Sequence, residues 1–273
     1  MKPLPKRRST HEFARPDRGG DMIRFEGLQK SFGPKEIYRD LNLSIREGET
    51  LTIMGGSGTG KSVLLKCLIG LMQPDAGRVI FQGHDLTTFR EEDFHEVRRK
   101  VAMVFQGSAL FDSLSVGENI AYPLREHFPE MDDDEVRERV AQKLEMVNLK
   151  GIEEMRPSAL SGGMKRRVGL ARAIATDPEV ILWDEPTTGL DPISTRMIDN
   201  LIVSMGERLG CTSIVVTHDM ESAFWVSDRI AMLADKKIAQ VGTAEEMRGS
   251  SNPDVRAFLD ARSSRANKNR VTE

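Results

Sequence analysis

Apolar and polar residues alternate through Met22–Phe25 and again through Leu41–Ile45, the period of half-buried strands. Thr50–Met54 is a short apolar run that stops at a glycine-rich loop, and Lys61–Leu71 then switches to helical spacing through Val63, Leu64, Leu68 and Leu71. Arg78–Phe81, Val101–Phe105, Val180–Trp183 and Ser213–Thr217 read as further strands. Asp132–Val147 carries apolar residues at Val136, Val140, Leu144 and Val147, which predicts a helix. Asp132 and Glu135 give it a capping-box-like start, and its acid cluster suits the positive end of a helix dipole. Strands with intervening helices predict a mostly parallel α/β core. There is neither an internal repeat nor a low-complexity tract.

The ends break this pattern. Residues 1–21 hold six Lys or Arg, three acids, three prolines and a Gly-Gly pair without apolar periodicity. They read as a basic, disordered tail without the apolar stretch of a signal peptide, unless Met22, where the pattern begins, is the true start. The patterned domain then spans 22–249, and 250–273 reads as a short helix over Asp254–Ala261 followed by a loose polar tail from Arg262. Composition adds limits. The chain has 273 residues, 39% hydrophobic and 30% charged, enough for one large domain or one domain with a lobe. A net charge of -3 offers no global basic field for nucleic acid. Cys67 and Cys211 lie in apolar stretches and read as buried thiols of a reduced, cytosolic chain. No apolar run approaches the roughly 18 residues that span a bilayer, so work at a membrane would need a partner to hold the chain there.

Gly55-Gly56-Ser57-Gly58-Thr59-Gly60-Lys61-Ser62 satisfies the G-x-x-x-x-G-K-[ST] pattern, with a strand before it and a helix after it. Glycines let the backbone curl so that successive N–H groups face one anion, and the helix start adds its positive end. Lys61 can bridge β- and γ-phosphates, and the Ser62 hydroxyl can ligate Mg²⁺. Val180–Trp183 delivers Asp184 and Glu185 at a strand end, the edge where open α/β sheets bind ligands. There Asp184 suits Mg²⁺, and Glu185 suits the orientation of an attacking water. His218 ends a second strand and can report on a γ-phosphate, whereas His11, His84, His95 and His127 have no such setting. Ser161 reads as the N-cap of a long helix that begins Gly162-Gly163-Met164 and carries Lys165, Arg166, Arg167 and Arg172. A second anion site in a chain that already has a phosphate loop makes sense if it serves the nucleotide of another subunit.

Together these motifs resemble the nucleotide-binding subunits of ABC transporters, from about Met22 to Gly249. In the resemblance Gly55–Ser62 is the Walker A loop, Val180–Glu185 the Walker B strand and Leu160–Met164 the signature. Gln106 is the Q-loop glutamine that contacts Mg²⁺ and relays to the permease, Thr188–Asp191 the D-loop and His218 the switch histidine. The catalytic candidates are Lys61, Glu185, Asp191 and His218. Phe32 falls where the family stacks an aromatic on adenine, with Tyr38 as its rival and a core role open for either. The family implies a P-loop NTPase cassette with a RecA-like core, an antiparallel β subdomain and a helical signature subdomain near 107–165. It also implies ATP and Mg²⁺, and a head-to-tail dimer with two ATP molecules between Walker A of one subunit and the signature of the other.

Met164 stands where many ABC proteins have Gln or Glu. That variant, with Phe105–Leu114, Ala121–Arg125 and Ala234–Ile238, is similar to the ATPases of Mla and other Mce-associated phospholipid transport systems. The resemblance implies a multi-spanning permease, an Mce-domain lipid-binding protein and a place on the cytoplasmic face of a bacterial inner membrane. An importer or exporter of another substrate is the alternative. Phe105, Leu110, Phe111 and Leu114 are candidates for receiving the permease's coupling helix, or for packing alone. Lys61 and Ser161 are 100 residues apart with no heptad arm between them, which excludes the coiled-coil ABC ATPases of DNA repair. One cassette excludes the two-cassette translation proteins, and the signature excludes P-loop kinases.

Overall fold

A computed structural model describes residues 13–105 and 107–270, with side chains to 261. In chain order the strands are β1 (Asp21–Phe32), β2 (Lys35–Arg46), β3 (Thr50–Gly55), β4 (Ala76–Phe81), β5 (His84–Asp85), β6 (Val101–Val104), β7 (Val180–Asp184), β8 (Thr212–Thr217), β9 (Arg229–Ala234) and β10 (Lys237–Gly242). The helices are α1 (Lys61–Leu68), α2 (Phe94–Lys100), α3 (Val116–His127), α4 (Asp133–Met146), α5 (Gly162–Ala173), α6 (Pro192–Leu209), α7 (Met220–Val226), α8 (Ala244–Arg248) and α9 (Pro253–Arg270). The described residues form two compact units, one from Arg90 to Ser213 and the other joining Phe13–Phe89 to the chain after Ile214.

In the second unit β1, β2, β4 and β5 make an antiparallel sheet in the order β2-β1-β4-β5. β3 pairs parallel with β9, Leu51 opposite Arg229, and β9 pairs antiparallel with β10. Every residue of β3 is buried, the two-sided burial that a parallel strand under helices requires. Met54, Ala223, Ile230, Met232, Met247 and Val255 make one apolar core. In the first unit β6 pairs parallel with β7, Val101 opposite Val180 and Val104 opposite Trp183.

The helices start and stop where local chemistry dictates. Asp132 caps α4 by accepting from the Glu135 amide at 2.8 Å. Asp191 caps α6, Pro192 takes its first position, and Gly210 ends it at φ 59°. α1 stops at Leu68 rather than Leu71, because Gly70 turns left-handed at φ 71° and leaves Leu71 outside the helix. α3 was not evident in the spacing, since Pro123 lies inside it. A readable signal was present: Ser115 and Glu118 form a capping box, with the Glu118 amide donating to Ser115 Oγ at 3.1 Å.

The reading of 1–21 as a loose tail needs correction from Phe13 onward; residues 1–12 lie outside the described residues. The Phe13 ring lies 5.5 Å from that of Phe81 and 4.7 Å from that of His84. Arg15 pairs with Glu47 at 2.7 Å, and the Glu47 amide donates to Gly20 O at 2.8 Å. One aromatic anchor and an ion pair therefore hold this segment, although its sequence has no periodicity. At the other end the α9 backbone continues through Arg270, beyond the expected helix boundary at Ala261.

Candidate active site

The phosphate loop, Gly55 to Ser62, joins β3 to α1. Its glycines are required by space as well as by φ. Gly60 sits at φ 104°, and a Cβ there would come within 2.3 Å of Ile37 Cγ2. A Cβ on Gly55 would come within 2.6 Å of Leu233 O. The α1 start has no side-chain cap and no acid in its first turn, so no side chain of the helix competes with an anion there; the Val63 amide closes the turn on Gly60 O at 2.7 Å. Gly56, Ser57 and Gly58 are exposed, and Thr59 ties the loop by donating to Gly56 O at 2.9 Å. Lys61 is buried, 6% exposed, with Nζ on Gly55 O at 3.1 Å and Gly56 O at 3.0 Å. An ammonium held against carbonyls at the mouth of a ring of amides is a cradle for a polyanion.

The two aromatic candidates separate cleanly. Phe32 ends β1 at the hairpin and is 45% exposed, with Lys30 Nζ 5.5 Å from its ring centroid. Tyr38 is 1% exposed and its hydroxyl donates to Gly60 O. Burial drives its pKa well above the usual tyrosine value. Tyr38 thus braces the phosphate loop from behind, while Phe32 offers an open ring face. His218 follows β8 and is half-buried ahead of Asp219, which caps α7 by accepting from the Glu221 amide at 2.9 Å.

In the other unit β7 ends at Asp184, and Glu185 follows at φ 51°, a left-handed conformation unusual for a residue with a side chain. The Thr188 amide donates to Glu185 O at 3.3 Å, closing a turn, and the Thr188 hydroxyl donates to Glu185 Oε2 at 2.9 Å. Asp191 lies just beyond, accepting from the amides of Ile193 and Ser194 at 3.0 Å each. Its hydrogen bonds with Ser194 come first among the causes holding its carboxyl below the usual range. Ser161 caps α5 by accepting from the Met164 amide at 3.3 Å, and both Ser161 and Gly162 are exposed. A Cβ on Gly163 would lie 3.5 Å from Ser194 Oγ. Gln106 falls outside the described residues.

The three arginines of α5 turn to main-chain carbonyls, which residue spacing alone did not reveal. Arg166 donates to Pro186 O and Thr188 O. Arg167 donates to Asn148 O at 3.0 Å and Val147 O at 3.3 Å, covering the end of α4. Arg172 donates to Ala109 O at 2.8 Å and Ser108 O at 3.0 Å, and lies 5.7 Å from the Phe111 ring centroid. Burial lowers the pKa of all three guanidinium groups.

The same unit carries an exposed aromatic patch. Phe105 and Phe111 are exposed, Leu110 and Leu114 half-buried, and the rings of Phe111 and Tyr122 lie 5.1 Å apart. Asn119, fully buried, receives the Phe111 amide at 2.9 Å and donates to Phe111 O at 3.1 Å, which fixes the loop before α3. A cavity of about 260 Å³ beside it is lined by Leu114, Glu118, Tyr122, Arg125 and Glu126.

Residues 38–188 match the ABC transporter family. The chain is 42% identical over 243 residues to the intermembrane phospholipid transport system ATP-binding protein MlaF of Haemophilus influenzae, covering 89% of this chain and 92% of that protein. It is 41% identical over 243 residues to a probable ribonucleotide transport ATP-binding protein, mkl, of Mycobacterium leprae, covering 89% of this chain and 70% of that protein. The ATP-binding cassette MJ0796, in a dimeric post-hydrolysis state bound to ADP and Pi, superposes with a TM-score of 0.75 at 33% identity, covering 82% of this chain and 99% of that one. A loop built to hold a polyphosphate and a strand-end carboxylate fixed in a strained turn fit these relatives, and the chain belongs to the ABC transporter family as an ATP-binding, ATP-hydrolysing cassette.

Proposed function

We propose that this chain is the ATP-hydrolysing subunit of a transporter that moves phospholipid between bacterial membranes. The observation that carries the ATPase reading is the phosphate loop, where the buried Lys61 ammonium rests on two carbonyls that phosphate oxygens can replace. Exposed loop amides and the open start of α1 bind the phosphates of ATP, and Phe32 stacks on adenine. Glu185 orients and polarises the attacking water, and His218 reads the γ-phosphate. Ser62, Gln106 and Asp184 supply a hydroxyl, an amide oxygen and a carboxylate, the hard donors that suit Mg²⁺, which neutralises phosphate charge when bound. Ser161, Gly162 and Gly163 serve the ATP of a second copy, and Asp191 lies in the loop that completes that pairing. ATP acts as a ligand that favours the closed dimer over the open one.

No described helix is long and apolar enough to cross a membrane, so transport requires a permease. The Phe111–Tyr122 patch and its cavity suit the permease's coupling helix, because exposed aromatics beside a concave wall provide the desolvated anchors that interfaces use. The phospholipid assignment is supported by the likeness to MlaF, and an Mce-domain protein is the expected periplasmic partner. The likeness to mkl favours a second reading in which the cargo is a ribonucleotide.

Affinity purification of the chain from its native membranes, followed by identification of co-purifying proteins and lipids, separates these readings. A multi-spanning permease with an Mce-domain protein and bound phospholipid is the expected result. A permease with no lipid, whose ATP turnover is stimulated by a ribonucleotide other than ATP, would replace the phospholipid reading with the ribonucleotide one.

A further inference from the structure

We infer that Arg166 and Thr188 are positioning residues for the water-activating carboxylate, linking the signature helix to Glu185 within one chain. The inference rests on the ATPase reading above and assigns a role to a helix arginine that this reading does not use. Glu185 enters its turn at φ 51°, a conformation that needs support from its surroundings. Two contacts supply it from the far side of the turn: the Thr188 amide holds Glu185 O at 3.3 Å and the Thr188 hydroxyl holds Oε2 at 2.9 Å. Thr188 is itself held by Arg166, whose guanidinium spans Pro186 O and Thr188 O. Pro186 and Thr187 are buried, so this turn has no freedom to slide. Arg166 lies in the second turn of α5, one turn after the capping Ser161. A movement of the signature end of α5 therefore reaches the carboxylate through two hydrogen bonds in series, Arg166 to Thr188 O and the Thr188 hydroxyl to Glu185 Oε2. A planar fork suits Arg here, since two carbonyls at a fixed spacing match two N–H vectors that a lysine ammonium does not reproduce.

The test is ATP turnover in the purified transporter complex, with nucleotide affinity measured in parallel. Thr188→Val and Arg166→Gln each lower kcat roughly ten- to hundredfold, the effect of losing a hydrogen bond to a charged group, with KM and ATP affinity changed less than about twofold. Thr188→Ser restores the hydroxyl and the rate. Arg166→Lys stays impaired. The double variant is no slower than the slower single one, because both act through the same carboxylate. Losses that multiply in the double variant, or a loss in KM alone, overturn the linkage, as does a full rate in Thr188→Val. A wild-type complex that binds but never hydrolyses ATP would instead overturn the ATPase reading itself.

Discussion

The Thr188 hydroxyl donates to Glu185 Oε2 at 2.9 Å across a turn that Glu185 enters at φ 51°. A side chain that can accept but not ionise keeps this arrangement. Glu185→Gln should therefore retain fold and ATP binding while turnover falls by about 10²- to 10⁴-fold, the usual worth of a positioned base. Phosphate release against nucleotide binding measures the split, and an ATP-stabilised dimer on size exclusion is the companion result. Lys61→Ala should lose nucleotide binding or turnover altogether. Full turnover in Glu185→Gln would mean that another group positions the water.

Gly60→Ala should abolish nucleotide binding and lower the melting temperature. The new Cβ meets Ile37 Cγ2 at 2.3 Å, and φ 104° is foreign to alanine. Gly58→Ala makes the contrast: it bears the left-handed strain at φ 74° but meets nothing within 4 Å, so its effect should be smaller.

Phe32→Ala should weaken ATP binding roughly 5- to 150-fold, the equivalent of about 1–3 kcal/mol of stacking, at unchanged melting temperature. Tyr38→Phe should do the reverse, costing on the order of 1 kcal/mol of stability through the lost bond to Gly60 O. Titration with a fluorescent ATP analogue alongside thermal melts distinguishes the two.

Asp177→Asn should destabilise the chain by roughly 3 kcal/mol in denaturant unfolding. Asp177 binds Arg139 at 2.6 Å and also Lys143, which is 0% exposed, so the substitution leaves a buried ammonium without its carboxylate. Adding Lys143→Met should recover part of the loss, because the stranded charge goes too.

Alkaline pH should weaken the fold through Cys67. Burial raises its thiol from an ordinary 9.0 to about 11. The folded state then holds the proton more tightly than the unfolded one. Stability is therefore intact below pH 9 and declines by about 2–3 kcal/mol as pH rises toward 11. Cys67→Ala should flatten that part of the pH–stability curve. Cys67 and Cys211 are both buried thiols outside any disulfide, so thiol reagents should label neither at neutral pH until the chain unfolds.

The phosphate loop, the carboxylates at the end of β7, the Ser161 cap and the Asp132 cap were legible in sequence because each depends on neighbours a few residues away. Glycine φ values and cap bonds are local chemistry, and a run such as Val180–Asp184 announces its own burial. α3 escaped because Pro123 masks its period, and Phe13 escaped because its anchors, Phe81 and His84, lie about seventy residues on. Spacing could not choose between Phe32 and Tyr38, since both sit on the hairpin formed by β1 and β2. Their exposures, 45% and 1%, differ because Phe32 lies at the hairpin tip, where residues 31–35 are all exposed, whereas Tyr38 lies farther along β2 with its hydroxyl on Gly60 O.

By itself, then, the amino-acid order determined the nucleotide chemistry, the family resemblance and the helix caps, all encoded in residue type over short spans. Tertiary structure alone decided where the α5 arginines point and which aromatic stays open. A guanidinium finds carbonyls, or an aromatic finds a wall, only after segments distant in sequence have packed, and no periodicity along the chain records those meetings.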